Sequence, residues 1–168
     1  RMSLREPLTL HPYINVIASS WRSRDHLAQF LKRDVVYIPQ HHCNFANELR
    51  QSREIRVVGF VGSRSSLAFY NKLHLEMWTK AFAERGLELR IFITNRRRTT
   101  HQEVVDFYKQ IDIQIYARRT RYTFRRFKDQ LKLMNAGSFG IPSVCGQEST
   151  PYCDMALDCE SRTFVYWG

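Results

Sequence analysis

Apolar positions along the chain alternate between continuous runs and helical spacing. Three times, a run long enough for a buried strand leads into a polar loop and then into amphipathic spacing. The runs are Ile55–Val61, Leu87–Thr94 (LELRIFIT) and Ile111–Ala117 (IDIQIYA). Near-continuous apolar strands separated by amphipathic helices predict a parallel sheet with both faces covered. The crossovers between such strands are right-handed. The predicted class is therefore α/β, a Rossmann-like three-layer domain with a mostly parallel sheet.

The helices carry their own signals. Ser65 or Ser66 is read as the cap of a helix of about 18 residues with Leu67, Tyr70, Leu73, Met77, Trp78, Ala81 and Phe82 on its apolar side, stopped by Gly86. Thr100 and Glu103 spell T-x-x-E, a capping box, ahead of Val104, Val105, Phe107 and Tyr108. A further helix is read over Phe127–Phe139 and ended by Gly140, followed by a short buried strand, Ile141–Cys145. Beyond it come a helix from Thr150 to Leu157 and a last strand, Thr163–Trp167. Upstream, Pro7 and Pro12 punctuate an irregular start. Tyr13–Ala18 reads as a strand, Ser19 or Ser20 as the cap of a helix reaching Lys32, and Val35–Ile38 as a strand stopped by Pro39.

A chain of 168 residues suits one well-buried domain and is short for two. No apolar stretch approaches the roughly 20 residues a membrane span needs. The start lacks the apolar core of a signal peptide. A cytoplasmic location, with membrane contact at most peripheral, is the expectation. Cys43, Cys145, Cys153 and Cys159 form no CxxC pair, and the last three have seven and five residues between them. That spacing is poor for zinc, so free thiols and no metal are expected.

Charge adds a direction to this picture. The net charge is +10, and between Arg96 and Lys132 eleven Lys or Arg stand against Glu103, Asp106, Asp112 and Asp129. Arg96, Arg97 and Arg98 directly follow the second strand, and Arg118, Arg119 and Arg121 follow the third. Parallel sheets bind ligands outside the carboxyl ends of their strands, and the arginine fork suits phosphate. The turn GFVGS, ending at Ser63, falls at the same edge. Its glycines either let the backbone approach a phosphate or simply make a tight turn. The GxxG spacing matches neither GxGxxG nor GxxxxGK[ST], so a dinucleotide site or a P-loop is not supported. His41-His42-Cys43 follows Ile38-Pro39 as a loop, either packed or reaching a cleft. Adjacent histidines on a strand would face opposite ways, which is poor for shared metal ligation.

The stretch FKDQLKLMNAGSFGIPSVCGQE, Phe127–Glu148, is the most specific in the chain. Its K-x-x-x-L-K-x-x-N-A-G-S-F-G-I-P-S-V pattern resembles the helix-then-strand signature of the nucleotide-sugar-binding domain of GT-B glycosyltransferases. The strand and glycine loop IRVVGFVGS and the segment Val35–Pro39 resemble the elements that open that domain. The resemblance covers the order of elements from Asn15 to the C-terminus. It implies a donor-binding domain over 51–168, preceded over 1–50 by a linker strand and the remnant of an acceptor domain.

Residue by residue, the resemblance implies that Gly62 and Ser63 face the donor diphosphate, supported by Arg64. Lys128 or Lys132 would be the phosphate-binding base. Asn135 to Phe139, Ser138 among them, would touch phosphate or ribose, and Glu148 would stand near ribose or sugar hydroxyls. Tyr116 and Ala117, with Arg118 after them, would lie near the base. The implied substrate is a UDP- or GDP-type nucleotide sugar, with no cofactor and no DxD-type metal pair, and the acceptor is a saccharide or a lipid-linked one. The chain departs from the pattern where many members carry an E-x7-E pair, because Asn135 and Ala136 stand at its first position. No catalytic residue is assigned, and at this length the chain alone is expected to transfer sugar poorly. Two other classes fit parts of the sequence. One is a basic nucleic-acid-binding α/β module, with Tyr116, Tyr122, Phe124 and Phe127 among the bases, although nucleic acid is the less expected partner. The other is half of a sugar-nucleotide epimerase.

Overall fold

A computed structural model describes residues 11, 13–38, 41–51, 54–67, 72–95, 97–116, 131–146 and 163–166. The first elements among the described residues form a small βαβ unit: β1 (Ile17–Ala18), α1 (Trp21–Leu31) and β2 (Val36–Tyr37), with β1 and β2 paired in parallel. Ser20 caps α1 by accepting the Ser23 N–H at 3.2 Å, and Trp21 packs on Tyr37 with ring centres 4.0 Å apart. The strand expected from Tyr13 is shorter than its apolar run. Ile14 instead closes a turn by donating its N–H to the His11 carbonyl.

The main sheet contains β3 (Val57–Gly62), β4 (Glu88–Ile93), β5 (Ile113–Tyr116), β6 (Ser143–Gly146) and β7 (Thr163–Tyr166). Its order is β4-β3-β5-β6-β7, and every neighbouring pair is parallel. Counted from β3, this is a doubly wound order whose direction reverses between β3 and β5. The crevice outside the carboxyl ends of those two strands is where such sheets take ligands.

Both faces of the sheet are covered, as continuous apolar strands require. On one face Val61 joins Val105, Phe107, Tyr108, Ile111, Ala136, Phe139 and Ile141 in the main core. These residues bring in α4 (His101–Lys109) and α5 (Leu131–Ser138). On the other, Phe60, Leu89, Ile91 and Ile115 meet Leu67, Leu75 and Trp78. Those last three belong to α2 (Arg64–Leu67) and α3 (Lys72–Ala83). The cap of α2 is Ser63, not Ser65 or Ser66: its carbonyl accepts the N–H groups of Ser66 and Leu67 at 3.0 Å each. Met77, in α3 and expected on the apolar side, is 56% exposed instead. The capping box forms as spelled, with Thr100 Oγ1 accepting the Glu103 N–H and the Glu103 carboxylate accepting the Thr100 N–H.

Residues 43–50 run as a strap across α4 and α5. Cys43 donates its N–H to Asn135 Oδ1 at 2.9 Å, and the Asn44 side chain donates to the Ser138 carbonyl at 2.8 Å. Arg50 donates its N–H to the Phe139 carbonyl at 2.9 Å and pairs with Asp112 at 2.8 Å, while Glu48 pairs with Lys109 at 2.7 Å. Cys43 itself sits in the main core. Residues 127–130 of the helix read over Phe127–Phe139, and the helix read from Thr150 to Leu157, lie outside the described residues. Among the described residues no helix is long and apolar enough to cross a membrane.

Candidate functional site

The end of β3 and the start of α5 meet at the point where the sheet reverses. Lys132, in the first turn of α5, extends its side chain over the strand ends. Its Nζ lies 4.0 Å from the centre of the Tyr116 ring and 5.2 Å from that of Phe60. Tyr116 faces Leu133 and Cys145, whereas Phe60 lines the opposite face of the sheet. The ammonium is buried between the two rings at the carboxyl end of β3, in reach of both ring faces, which attract a cation.

Gly62 makes room for it. A Cβ built there would stand 2.8 Å from Lys132 Nζ and 3.2 Å from Phe60 Cζ. Gly59, the other glycine of GFVGS, serves packing: a Cβ there would stand 2.5 Å from Ile111 Cγ2. Neither reading of the motif from sequence, phosphate approach or tight turn, describes Gly59. Its place in the middle of β3 answers to a neighbouring side chain.

A buried network fixes where Lys132 begins its reach. Gln114, on β5, is fully buried; its Nε2 donates to Ser143 Oγ at 3.1 Å and to the Lys132 carbonyl at 3.3 Å. Its Oε1 accepts the Tyr108 hydroxyl at 2.9 Å. Buried amides need such partners, and once satisfied they hold their neighbours in one arrangement. Neither Gln114 nor Phe60 was picked out as a site residue. The available signal was a lone polar residue inside the apolar run IDIQIYA.

Of the residues expected at the donor site, Gly62, Tyr116 and Lys132 come together at this edge. Ser63 follows Gly62 and serves as a helix cap, and Arg64 is exposed beside it. Asn135 and Ser138 spend polar atoms inside the protein. Asn135 holds Cys43, and the Ser138 hydroxyl donates to the Asn135 carbonyl at 2.7 Å. Ala117, Arg118, Lys128 and Glu148 lie outside the described residues, as do Arg96, Arg119 and Arg121. Arg97 and Arg98 are exposed on the turn after β4.

The histidine loop is partly folded in. Burial, then the neighbouring His41, holds the His42 imidazole below its ordinary value. Its Nδ1 lies 3.2 Å from the Asn44 N–H and accepts it, which leaves the proton of the neutral ring on Nε2. Burial pushes the Cys43 thiol up to about 11, so it is a packing group and no nucleophile at neutral pH. Among the described residues no cluster of three His, Cys, Asp or Glu side chains could hold a metal ion.

What remains is a cation fixed against bare backbone at the ligand-binding edge of a doubly wound sheet, an arrangement suited to a phosphate or diphosphate. No protein-family model, curated protein or solved structure matches the chain.

Proposed function

We propose that the chain is the donor-binding domain of a GT-B-type glycosyltransferase and binds a nucleotide-diphospho sugar in the crevice between β3 and β5. The observation that carries this reading is the Lys132 ammonium held against Gly62 at the switch point. The sequence pattern around Lys132 and the Gly140-Ile141-Pro142 step support it. In this reading the sugar departs from the nucleotide diphosphate, and negative charge builds on the departing phosphate oxygens. A cation already in position stabilises that charge without reorganising, which is where an enzyme gains most from electrostatics. Tyr116 confines the ammonium from one side and Gln114 holds the backbone from which it extends.

The test is isothermal titration of the chain with UDP, GDP and ADP at low and moderate salt, repeated on Lys132→Met, which keeps the apolar stem. The expected result is saturable binding that prefers one base and persists at moderate salt. Lys132→Met should weaken it at least about tenfold, the usual weight of a charge-assisted hydrogen bond. Equal affinity in the variant would overturn the assignment. Absence of nucleotide binding, with salt-sensitive binding to an oligonucleotide, would favour the basic nucleic-acid module.

A further inference from the structure

We propose that Arg97, Arg98, His41, Phe45 and His101 form a second ligand site, which takes the phosphorylated end of a saccharide acceptor. The inference rests on the donor reading above and names the chemistry of its second substrate.

The site adjoins the donor crevice through the main chain. Thr94 donates its N–H to the Gly62 carbonyl at 2.8 Å, so the end of β4 is tied to the donor-site glycine. Three residues on, Arg97 lies within roughly 10 Å of that bond, the reach of an extended chain. The turn between is rigid. Asn95 Oδ1 accepts the Arg97 N–H at 3.0 Å, the Asn95 carbonyl accepts the Arg98 and Thr99 N–H groups, and Thr99 Oγ1 accepts the Asn95 N–H at 2.7 Å. Both arginine side chains are exposed on this base.

The same turn delivers His101 to the start of α4, and the strap brings two rings to meet it. Phe45 stacks on His101 with centres 4.9 Å apart and planes 14° from parallel, and His41 packs on Phe45 at 5.2 Å. Phe45 is nevertheless 70% exposed. An aromatic ring held in place and left in solvent is a prepared contact surface. The acids closest along the chain are engaged elsewhere: Glu103 binds Thr100, and Asp106 accepts from Gln102 at 2.7 Å. The patch therefore offers two exposed guanidinium forks on the turn before α4 and a flat aromatic surface at the first residue of that helix. A phosphate on the forks with a sugar ring against the aromatic column satisfies both parts. An acceptor must lie within reach of the donor, and the turn that carries Arg97 does.

A free sugar phosphate and a lipid-linked sugar share this chemistry, and the experiment separates them. The imidazole resonances of His41 and His101 are followed by NMR while the chain is titrated with glucose 1-phosphate, with vesicles carrying a polyprenyl-diphosphate sugar, and with plain anionic vesicles. Saturable shifts with either sugar ligand, retained in Lys132→Met and weakened at least about tenfold in Arg97→Ala/Arg98→Ala, support the site. The double substitution should leave nucleotide affinity unchanged. Shifts that vanish in Lys132→Met but survive loss of the arginines would overturn it, as would equal response to plain anionic vesicles. If nucleotides fail to bind while glucose 1-phosphate still moves both histidines in an arginine-dependent way, the anion site is supported and the donor reading falls.

Discussion

Asn135 Oδ1 accepts the main-chain N–H of Cys43 at 2.9 Å, joining two residues 92 positions apart. Asn135 is only 6% exposed, so water is a poor substitute for that bond. Asn135→Ala leaves a buried N–H without its acceptor, at a cost of about 1–3 kcal/mol. The expected result is a lower urea midpoint with an unchanged slope. An unchanged midpoint would show that the other strap contacts suffice.

Gly59 and Gly62 should separate cleanly on substitution. At Gly59 an added methyl meets three atoms of Ile111, whose side chain is itself 1% exposed, within 2.9 Å. Gly59→Ala is expected to cost about 1–3 kcal/mol from overpacking, partly recovered by Ile111→Ala in the same chain. At Gly62 the nearest atom is the far end of the long Lys132 side chain, which can shift by rotation about its own bonds. Gly62→Ala should lower stability by less than about 1 kcal/mol while displacing the ammonium and weakening nucleotide binding. Calorimetry and nucleotide titration of both variants check this, and parallel losses in both properties would contradict it.

Asp112 makes the fold acid-sensitive. Burial pushes its carboxyl up, but the N–H groups of Arg56 and Val57 and the Arg50 guanidinium outweigh that and hold it below the usual carboxylate range. A carboxyl depressed in the folded state contributes stability that is complete above the unfolded value of about 3.9 and is lost as pH falls through the folded one. Asp112→Asn should therefore lower stability at neutral pH and flatten its decline on acidification. Thermal unfolding between pH 7 and about pH 2 reads both effects. A variant declining as steeply as the parent would assign the acid response to other carboxylates.

Gln114 links stability to the site. Gln114→Leu roughly keeps the volume but removes the hydrogen bonds to the Tyr108 and Ser143 hydroxyls and to the Lys132 carbonyl. The expectation is a loss of about 2 kcal/mol together with weaker nucleotide binding. Affinity preserved alongside the stability loss would show that the network does not position Lys132.

The fold was legible where local chemistry decides it. The alternation of apolar runs and helical spacing gave the parallel sheet, and T-x-x-E marked the start of α4 at the right residue. The misread ends have nonlocal causes. Ile111 looks like the first residue of a strand, yet it is apolar because it fills the space over Gly59, and β5 begins only at Ile113. Met77 keeps helical spacing with its neighbours but turns to solvent. At the candidate site, the stretch around Lys132 was legible as a pattern. What Lys132 touches was not, because Phe60 and Tyr116 come from different strands. Asn135 and Ser138 looked suited to a ligand, and their partners in the strap lie too far along the chain for any spacing to reveal. The stacking of Phe45 on His101 is hidden for the same reason.

The strap also has a consequence in time. Its bonds to Asn135, Ser138 and Phe139 each close a loop of about ninety residues, and such contacts form late because the entropy of closure precedes their reward. A ribosome delivers the N-terminal unit first and α5 long afterwards, so residues 43–50 must wait unanchored while the intervening strands and helices emerge. Cys43 then enters the core as one of its last members, although it is made before the other buried residues of that core.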